Sequence, residues 1–201
     1  MAHYASAKAR IFSRCRHQVL NREDRYSVAM KSSGNSVSYF ARYAPLGPSH
    51  FGLSSVRGES WLAHDQMPLM TVADLPLAGG HNVANALAAL ALARAIDLPY
   101  PPIIEALRRF RGLPHRVEKV MDIGTVGFYD DSKGTNVGAT VAALNGMKEK
   151  VVLIAGGDGK AQDFSPLNDA VAKHARAVVL IGRDAKLIEM AIAASGVAIS
   201  H

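Results

Sequence analysis

The chain has 201 residues, 49% of them hydrophobic and 20% charged, and carries a formal net charge of +6. That length holds one large or two small domains, and the composition excludes a disordered or fibrous chain. A single cysteine, Cys15, rules out an internal disulfide and a cysteine-rich zinc site, and fits a reducing cytoplasm. The longest apolar windows, around Leu87 to Ile96 and Ala177 to Ile181, are too short to span a bilayer, and residues 1–15 lack the apolar core of a signal peptide. A soluble, cytoplasmic protein with no membrane partner is expected. The charge excess is N-terminal: residues 1–60 hold nine Lys/Arg against three Asp/Glu, and the remainder balances. Aromatic residues do not interleave with these bases as stacking platforms would, so no nucleic-acid partner is expected either.

In chain order, Tyr4 to Ser13 reads as a short helix with Tyr4, Ala7 and Ile11 on one face. Val19 to Asn21 reads as a strand end, followed by a polar turn through Asp24. From Lys31 to about Leu77, Pro and Gly punctuate short runs (Val37 to Ala41, His50 to Ser54, Ser60 to Ala63), which predicts a small antiparallel sheet. Gly79-Gly80 then opens a helix, His81 to about Ala95, apolar almost all round and therefore expected to be buried on most sides. Pro101-Pro102 starts another, with Ile103, Leu107 and Phe110 at i, i+4 and i+7, and Gly112 stops it. A domain boundary falls in Gly112 to Arg116, giving domains at 1–113 and 114–201.

Beyond that boundary strands alternate with helices: strand Thr125 to Tyr129, helix Asn136 to Leu144, strand Val151 to Ala155, helix Leu167 to Ala175, strand Ala177 to Ile181, helix Ala185 to Ala194, strand Val197 to Ile199. Such Val/Ile/Leu-rich strands predict an α/β fold with a parallel sheet covered on both faces. The stretch Gly127 to Asn136 is a strand that ends, turns and starts a helix, the place where open parallel sheets bind ligands. An ordinary turn with a solvated acidic pair is the alternative.

Four sets of residues are candidates for chemistry. Asn82 and Asn85 share a face near a helix N-terminus, where carboxamides offer donor and acceptor together to an adenine edge; capping by Asn82 explains the first of them equally well. Arg116 suits a phosphate, or a structural pair with Glu118. Gly156-Gly157-Asp158-Gly159-Lys160 follows a strand, as glycines that let backbone approach a ligand often do. It is not a Walker A loop, because Ile154 stands where the first glycine belongs and Ala161 follows Lys160. Lys8 would by itself be a solvated helix residue.

Gly-Gly-His-Asn-x-x-Asn-Ala (79–86), Gly-Leu-Pro-His-Arg-x-Glu (112–118), Asp-Asp-Ser-Lys-x-Thr-Asn (130–136) and Gly-Gly-Asp-Gly-Lys-x-x-Asp-Phe-Ser-Pro-Leu (156–167) together resemble the Mur ligase family in order and spacing. The last stretch looks like that of the member adding D-glutamate to UDP-N-acetylmuramoyl-L-alanine in peptidoglycan synthesis. The resemblance implies the later part of a central ATPase domain followed by a truncated Rossmann-like C-terminal domain. The uridine-nucleotide domain, the P-loop and the final helices of the family are not among these residues. It also implies amide formation through an acyl phosphate at the expense of ATP and Mg²⁺. Under it, Asn82 and Asn85 meet adenine, Arg116 the ATP phosphates and Asp131 the ribose. Lys133, Thr135 and Lys160 hold the incoming amino acid or the reacting phosphate, with Lys133 and Lys160 in catalytic roles. Lys8, in Ala-Lys-Ala-Arg-Ile-Phe, matches the lysine the family carbamylates to bind Mg²⁺. A different Mur or folylpolyglutamate-type ligase, and a non-catalytic nucleotide-binding module, are the other readings.

Overall fold

A computed structural model describes residues 2–77 and 79–201. The chain divides into two compact units, Met1–Arg111 and Gly112–His201.

In the first unit, α1 (Ala2–Ala9) gives way to a 3-10 turn at Arg10–Phe12, so the regular helix is shorter than the sequence predicts. The strand β1 (His17–Asn21) leads to α2 (Arg25–Ala29), a short helix missed in the sequence, whose N-cap Asp24 accepts the Tyr26 N–H. Then come β2 (Ser36–Phe40), β3 (His50–Val56), β4 (Glu59–His64) and β5 (Met67–Thr71). The expected small antiparallel sheet is instead a five-stranded mixed sheet ordered β1-β2-β3-β4-β5. Its first two pairings are parallel and its last two antiparallel. The Pro- and Gly-rich link after β2 is what hides this, because it returns the chain to run parallel rather than closing a tight hairpin.

The helix α3 (Gly80–Ala95) packs on β1, β2 and β3 and on α4 (Tyr100–Arg109). Val83, Ala86, Leu87, Leu90 and Ala91, at i, i+3, i+4, i+7 and i+8, are its buried residues, and they meet Phe51, Leu62, Met70 and Ile103 in the core. Burying a leucine such as Leu87 or Leu90 contributes about 1.5–3 kcal/mol. The other face, with Asn85, Leu92 and Ile96, is exposed. All-round apolarity therefore overstated its burial. One polar side chain, Gln18, is fully buried in β1, with its amide donating to the Met30 carbonyl and its carbonyl accepting the Ser32 N–H.

In the second unit, β6 (Glu118–Ile123) and β7 (Val126–Asp130) form an antiparallel hairpin turning at Gly124. The sequence reading placed β7 with the parallel strands and missed β6. A separate three-stranded parallel sheet, ordered β10-β9-β8, comprises β8 (Val151–Gly156), β9 (Ala175–Ile181) and β10 (Ala198–Ser200). The helices α5 (Val137–Gly146), α6 (Leu167–His174) and α7 (Ala185–Ile192) contribute Leu144, Leu167, Val171, Ile188 and Ile192 to a core with Val178 and Leu180. That core lies on one face of the sheet. Val152, Ile154 and Ile181 are more than half exposed on the other, so the expectation of cover on both faces fails for these residues.

Candidate functional site

Gly112 has φ +102, a conformation that suits glycine and turns the chain out of the α4 region. Immediately after it, two short segments of the second unit are stitched together. Val117 N–H donates to Asp131 Oδ1 at 3.1 Å, and Lys133 N–H to the His115 carbonyl at 3.1 Å. His115 Nδ1 lies 2.7 Å from Asp130 Oδ2, while the His115 N–H donates to Glu118 Oε2 at 2.9 Å. The Ser132 N–H donates to Asp130 Oδ1 and the Gly134 N–H to the Asp131 carbonyl, which folds residues 130–134 into a tight turn.

Arg116 stands in the middle of this brace, between His115 at φ +62 and Val117 at φ +51. A β-branched residue in the left-handed region is strained, by an amount on the order of 1–3 kcal/mol, and strain of that kind persists where its surroundings over-determine it. The Arg116 side chain is exposed and forms no ion pair among the described residues; the alternative partner, Glu118, is engaged by the His115 N–H. An exposed guanidinium on a braced backbone, next to a carboxylate, can donate to phosphate oxygens while the carboxylate accepts from hydroxyls.

The hydrogen bond from His115 is the main reason the Asp130 carboxyl is lowered to about 2, with the Ser132 bonds adding to it. The same bond raises the His115 imidazole above its ordinary 6.5. His115, Glu118 and Asp130 bring ligand atoms within 4.8 Å of one another. Their atoms are already committed to this brace, and Mg²⁺ prefers an all-oxygen shell, so the cluster reads as a brace rather than a magnesium site.

A second loop follows β8. Gly156 has φ +149, and a side chain there would run into the Ile181 carbonyl oxygen of the neighbouring strand, so glycine is required. The Gly157 N–H donates to that carbonyl and the Asp184 N–H to the Gly157 carbonyl. Asp184 Oδ2 takes the Gly159 N–H at 2.6 Å, which holds its carboxyl below the usual range, and Arg183 pairs with Asp158 at 2.5 Å. The loop then passes through two successive left-handed residues, Lys160 (φ +51) and Ala161 (φ +55). Lys160 is exposed, as are Lys133 and Thr135, and neither lysine has an ion-pair partner among the described residues.

The stretch at 127–136 is, as expected, strand, turn and helix start: β7 ends at Asp130, and Asn136 caps α5 by accepting the Ala139 N–H at 2.9 Å. Arg116, Asp131, Lys133, Thr135 and Lys160 all belong to the second unit. Asn82 and Asn85 occupy the first turns of α3 in the first unit, where the N-cap is Gly79 at φ +102; Asn85 is exposed. Lys8 is exposed on α1 with its ammonium 5.4 Å from the centre of the Tyr4 ring. The sequence pattern presents Asp130 only as one of an acidic pair and gives no role to Gln162 or Asp184; bonds from all three hold these loops. A carboxylate beside a histidine-bearing hinge was a signal for Asp130; for the other two, spacing gave none.

Residues 1–93 match the Mur ligase middle domain, and residues 115–201 match the Mur ligase glutamate ligase domain. The chain belongs to the Mur ligase family. Among individual proteins, it is 57% identical over 201 residues to the UDP-N-acetylmuramoylalanine--D-glutamate ligase of Methylobacillus flagellatus, covering 100% of this chain and 44% of that protein. It is 54% identical over 200 residues to the protein of the same name from Nitrosomonas europaea, covering 98% of this chain and 42% of that one. The chain thus spans less than half the length of these curated relatives. MurF from Acinetobacter baumannii superposes with a TM-score of 0.75 at 18% identity, over 99% of this chain and 46% of that one. A folylpolyglutamate synthase from Mycobacterium tuberculosis gives 0.68 at 17%, over 100% and 50%. At such identities the likeness concerns the fold alone. No described helix is long and apolar enough to cross a membrane.

Proposed function

We propose that this chain carries the later ATP-binding part and the amino-acid-binding part of a cytoplasmic ligase that adds D-glutamate to UDP-N-acetylmuramoyl-L-alanine in peptidoglycan synthesis. The observation that carries the reading is the braced corner at 115–118 and 130–134, which presents Arg116, without an ion pair among the described residues, on the segment bonded to Asp131. The names of the relatives, at 57% and 54% identity, favour D-glutamate over other amino acids.

A carboxylate is a poor electrophile, so amide formation needs ATP to convert the alanyl carboxylate to an acyl phosphate before the D-glutamate amine attacks. The protein's share of the work is charge neutralisation and placement. In this reading Asn82 and Asn85 contact adenine, Arg116 the phosphates and Asp131 the ribose. The ammonium groups of Lys133 and Lys160 neutralise phosphate and substrate carboxylates, and Thr135 hydrogen-bonds the incoming amino acid. Lys8, exposed and without an acidic partner among the described residues, is free to be carbamylated, which would turn an ammonium that repels Mg²⁺ into an oxygen ligand for it. Asn82 and Asn85 belong to one compact unit, and Thr135 and Lys160 to the other.

The 201 residues contain no Walker A loop, and the polypeptide by itself is expected to give no turnover, since nothing in it cradles the β- and γ-phosphates. The deciding test is phosphate release from ATP and UDP-N-acetylmuramoyl-L-alanine by a chain of the relatives' full length carrying these residues, across a panel of amino acids. Release dependent on D-glutamate is the expected result. Release with L-glutamate or a diamino acid instead would move the protein to another member of the superfamily, and absence of adenine-nucleotide binding would mark a non-catalytic module.

A further inference from the structure

Lys160 and Thr135 lie on different loops, and one side chain joins them. Gln162 Nε2 donates to the Gly159 carbonyl at 2.9 Å and to the Thr135 carbonyl at 3.4 Å, and its Oε1 accepts the Val137 N–H at 3.1 Å. The Gln162 backbone N–H also donates to the Gly159 carbonyl, at 3.0 Å. The left-handed backbone of Lys160 and Ala161 supplies the turn that brings Gln162 back over Gly159. One half-buried carboxamide therefore uses its acceptor and its donors on the residue before Lys160, on Thr135, and on the first N–H of α5.

We propose that Gln162 is a positioning residue, which locks the Thr135 loop to the Lys160 loop and so fixes the pocket for the amino-acid substrate. The inference rests on the assignment of Thr135 and Lys160 to that substrate. Simple helix capping does not account for the geometry. A cap needs only an acceptor, and Asn136 already caps α5 through Ala139, whereas the two carbonyls require donors that a carboxylate lacks.

Two substitutions separate the roles. Gln162→Met keeps length and removes every side-chain hydrogen bond. Gln162→Glu keeps the acceptor toward Val137, with a charge that favours a helix N-terminus, but turns a carboxylate toward the two carbonyls. In the full-length enzyme both variants are expected to raise KM for D-glutamate about tenfold while KM for ATP stays within about twofold, as loss of one or two neutral hydrogen bonds implies. A Glu variant with wild-type KM for D-glutamate would reduce Gln162 to a cap, and wild-type constants in both variants would overturn the proposal. An unmodified enzyme inactive toward D-glutamate would instead sink the functional reading. The acceptor half of the tether is then read on the 201-residue chain by amide hydrogen exchange at Val137: protection lost in Gln162→Met and kept in Gln162→Glu supports it, and an unprotected wild-type amide ends the proposal.

Discussion

Asn82 and Asn85 ride on a helix whose opposite face, from Val83 to Ala91, is sealed into an apolar core. Arg116, Asp131, Thr135 and Lys160 stand on loops held by hydrogen bonds, next to a hairpin whose β6 residues are all exposed. The two compact units therefore present candidate ligand groups by different physics. Apolar burial fixes a helix but is indifferent to what its solvent face carries. A polar brace fixes single backbone groups in direction and distance, and accepts strain at His115, Val117 and Lys160 to do it. Substitutions in either apolar core should act through stability, and those in the braced loops of the second unit through geometry and protonation.

The largest effect expected is Leu87→Ala, at a fully buried position, which should cost the first unit about 2–5 kcal/mol. Trp61, the single tryptophan, lies in β4, so its fluorescence during urea unfolding reports that unit. Leu180→Ala, in the other core, should cost the second unit a similar about 2–5 kcal/mol and leave the Trp61 midpoint in place. A Trp61 midpoint that moved equally in both variants would show the units unfolding together and break the comparison.

Gly156→Ala comes next. It forces a side chain against the Ile181 carbonyl at φ +149 and should cost about 2 kcal/mol or more, read by circular dichroism as loss of the second unit with the Trp61 transition unchanged.

Protonation provides a sharper and smaller test. His115 is raised in the folded state, so its contribution is complete below about 6.5 and is lost as pH climbs through the raised value. Asp130 is lowered from 3.8 to about 2, so its contribution is present above 3.8 and is lost as pH falls toward 2. The His115–Asp130 brace is therefore intact between about pH 4 and 6.5 and loosens on either side. NMR titration should find the His115 midpoint above 6.5, and Asp130→Asn should bring it back toward that value. An unchanged midpoint would remove Asp130 from the brace. The smallest effect belongs to Arg109→Ala, which breaks an exposed i,i+4 pair with Glu105 and touches neither core nor loops; it should cost about 0.3–0.5 kcal/mol in urea unfolding.

What sequence made legible follows the same division. The helical period of Val83, Leu87 and Leu90 and the Val/Ile/Leu run of Val151 to Ala155 announced their elements, because burial writes itself as a pattern. The parallel pairing of β1 with β2 did not, since pairing partners distant in sequence leave no local period. β6 was missed because exposure on both faces removes alternation: Val120, Met121 and Ile123 are apolar yet exposed, and only the Gly124 turn marked the hairpin. Of the candidate site, the residues that would touch ligand were found through motifs. Gln162 and Asp184 aim them through backbone groups of other loops, a role with no spacing to detect, whereas Asp130 acts through the His115 side chain and the Ser132 N–H.

The central proposal is that the second unit holds an ATP-side group, Arg116, and an amino-acid-side group, Lys160, on two hydrogen-bonded loops. Steady-state kinetics of Arg116→Ala and Lys160→Ala in the full-length enzyme test it most directly. Loss of a charge-assisted contact predicts a rise of about tenfold or more in KM for ATP alone in the first variant, and of similar size in KM for D-glutamate alone in the second. Wild-type constants in both variants, or the same change for both substrates in each, would contradict it.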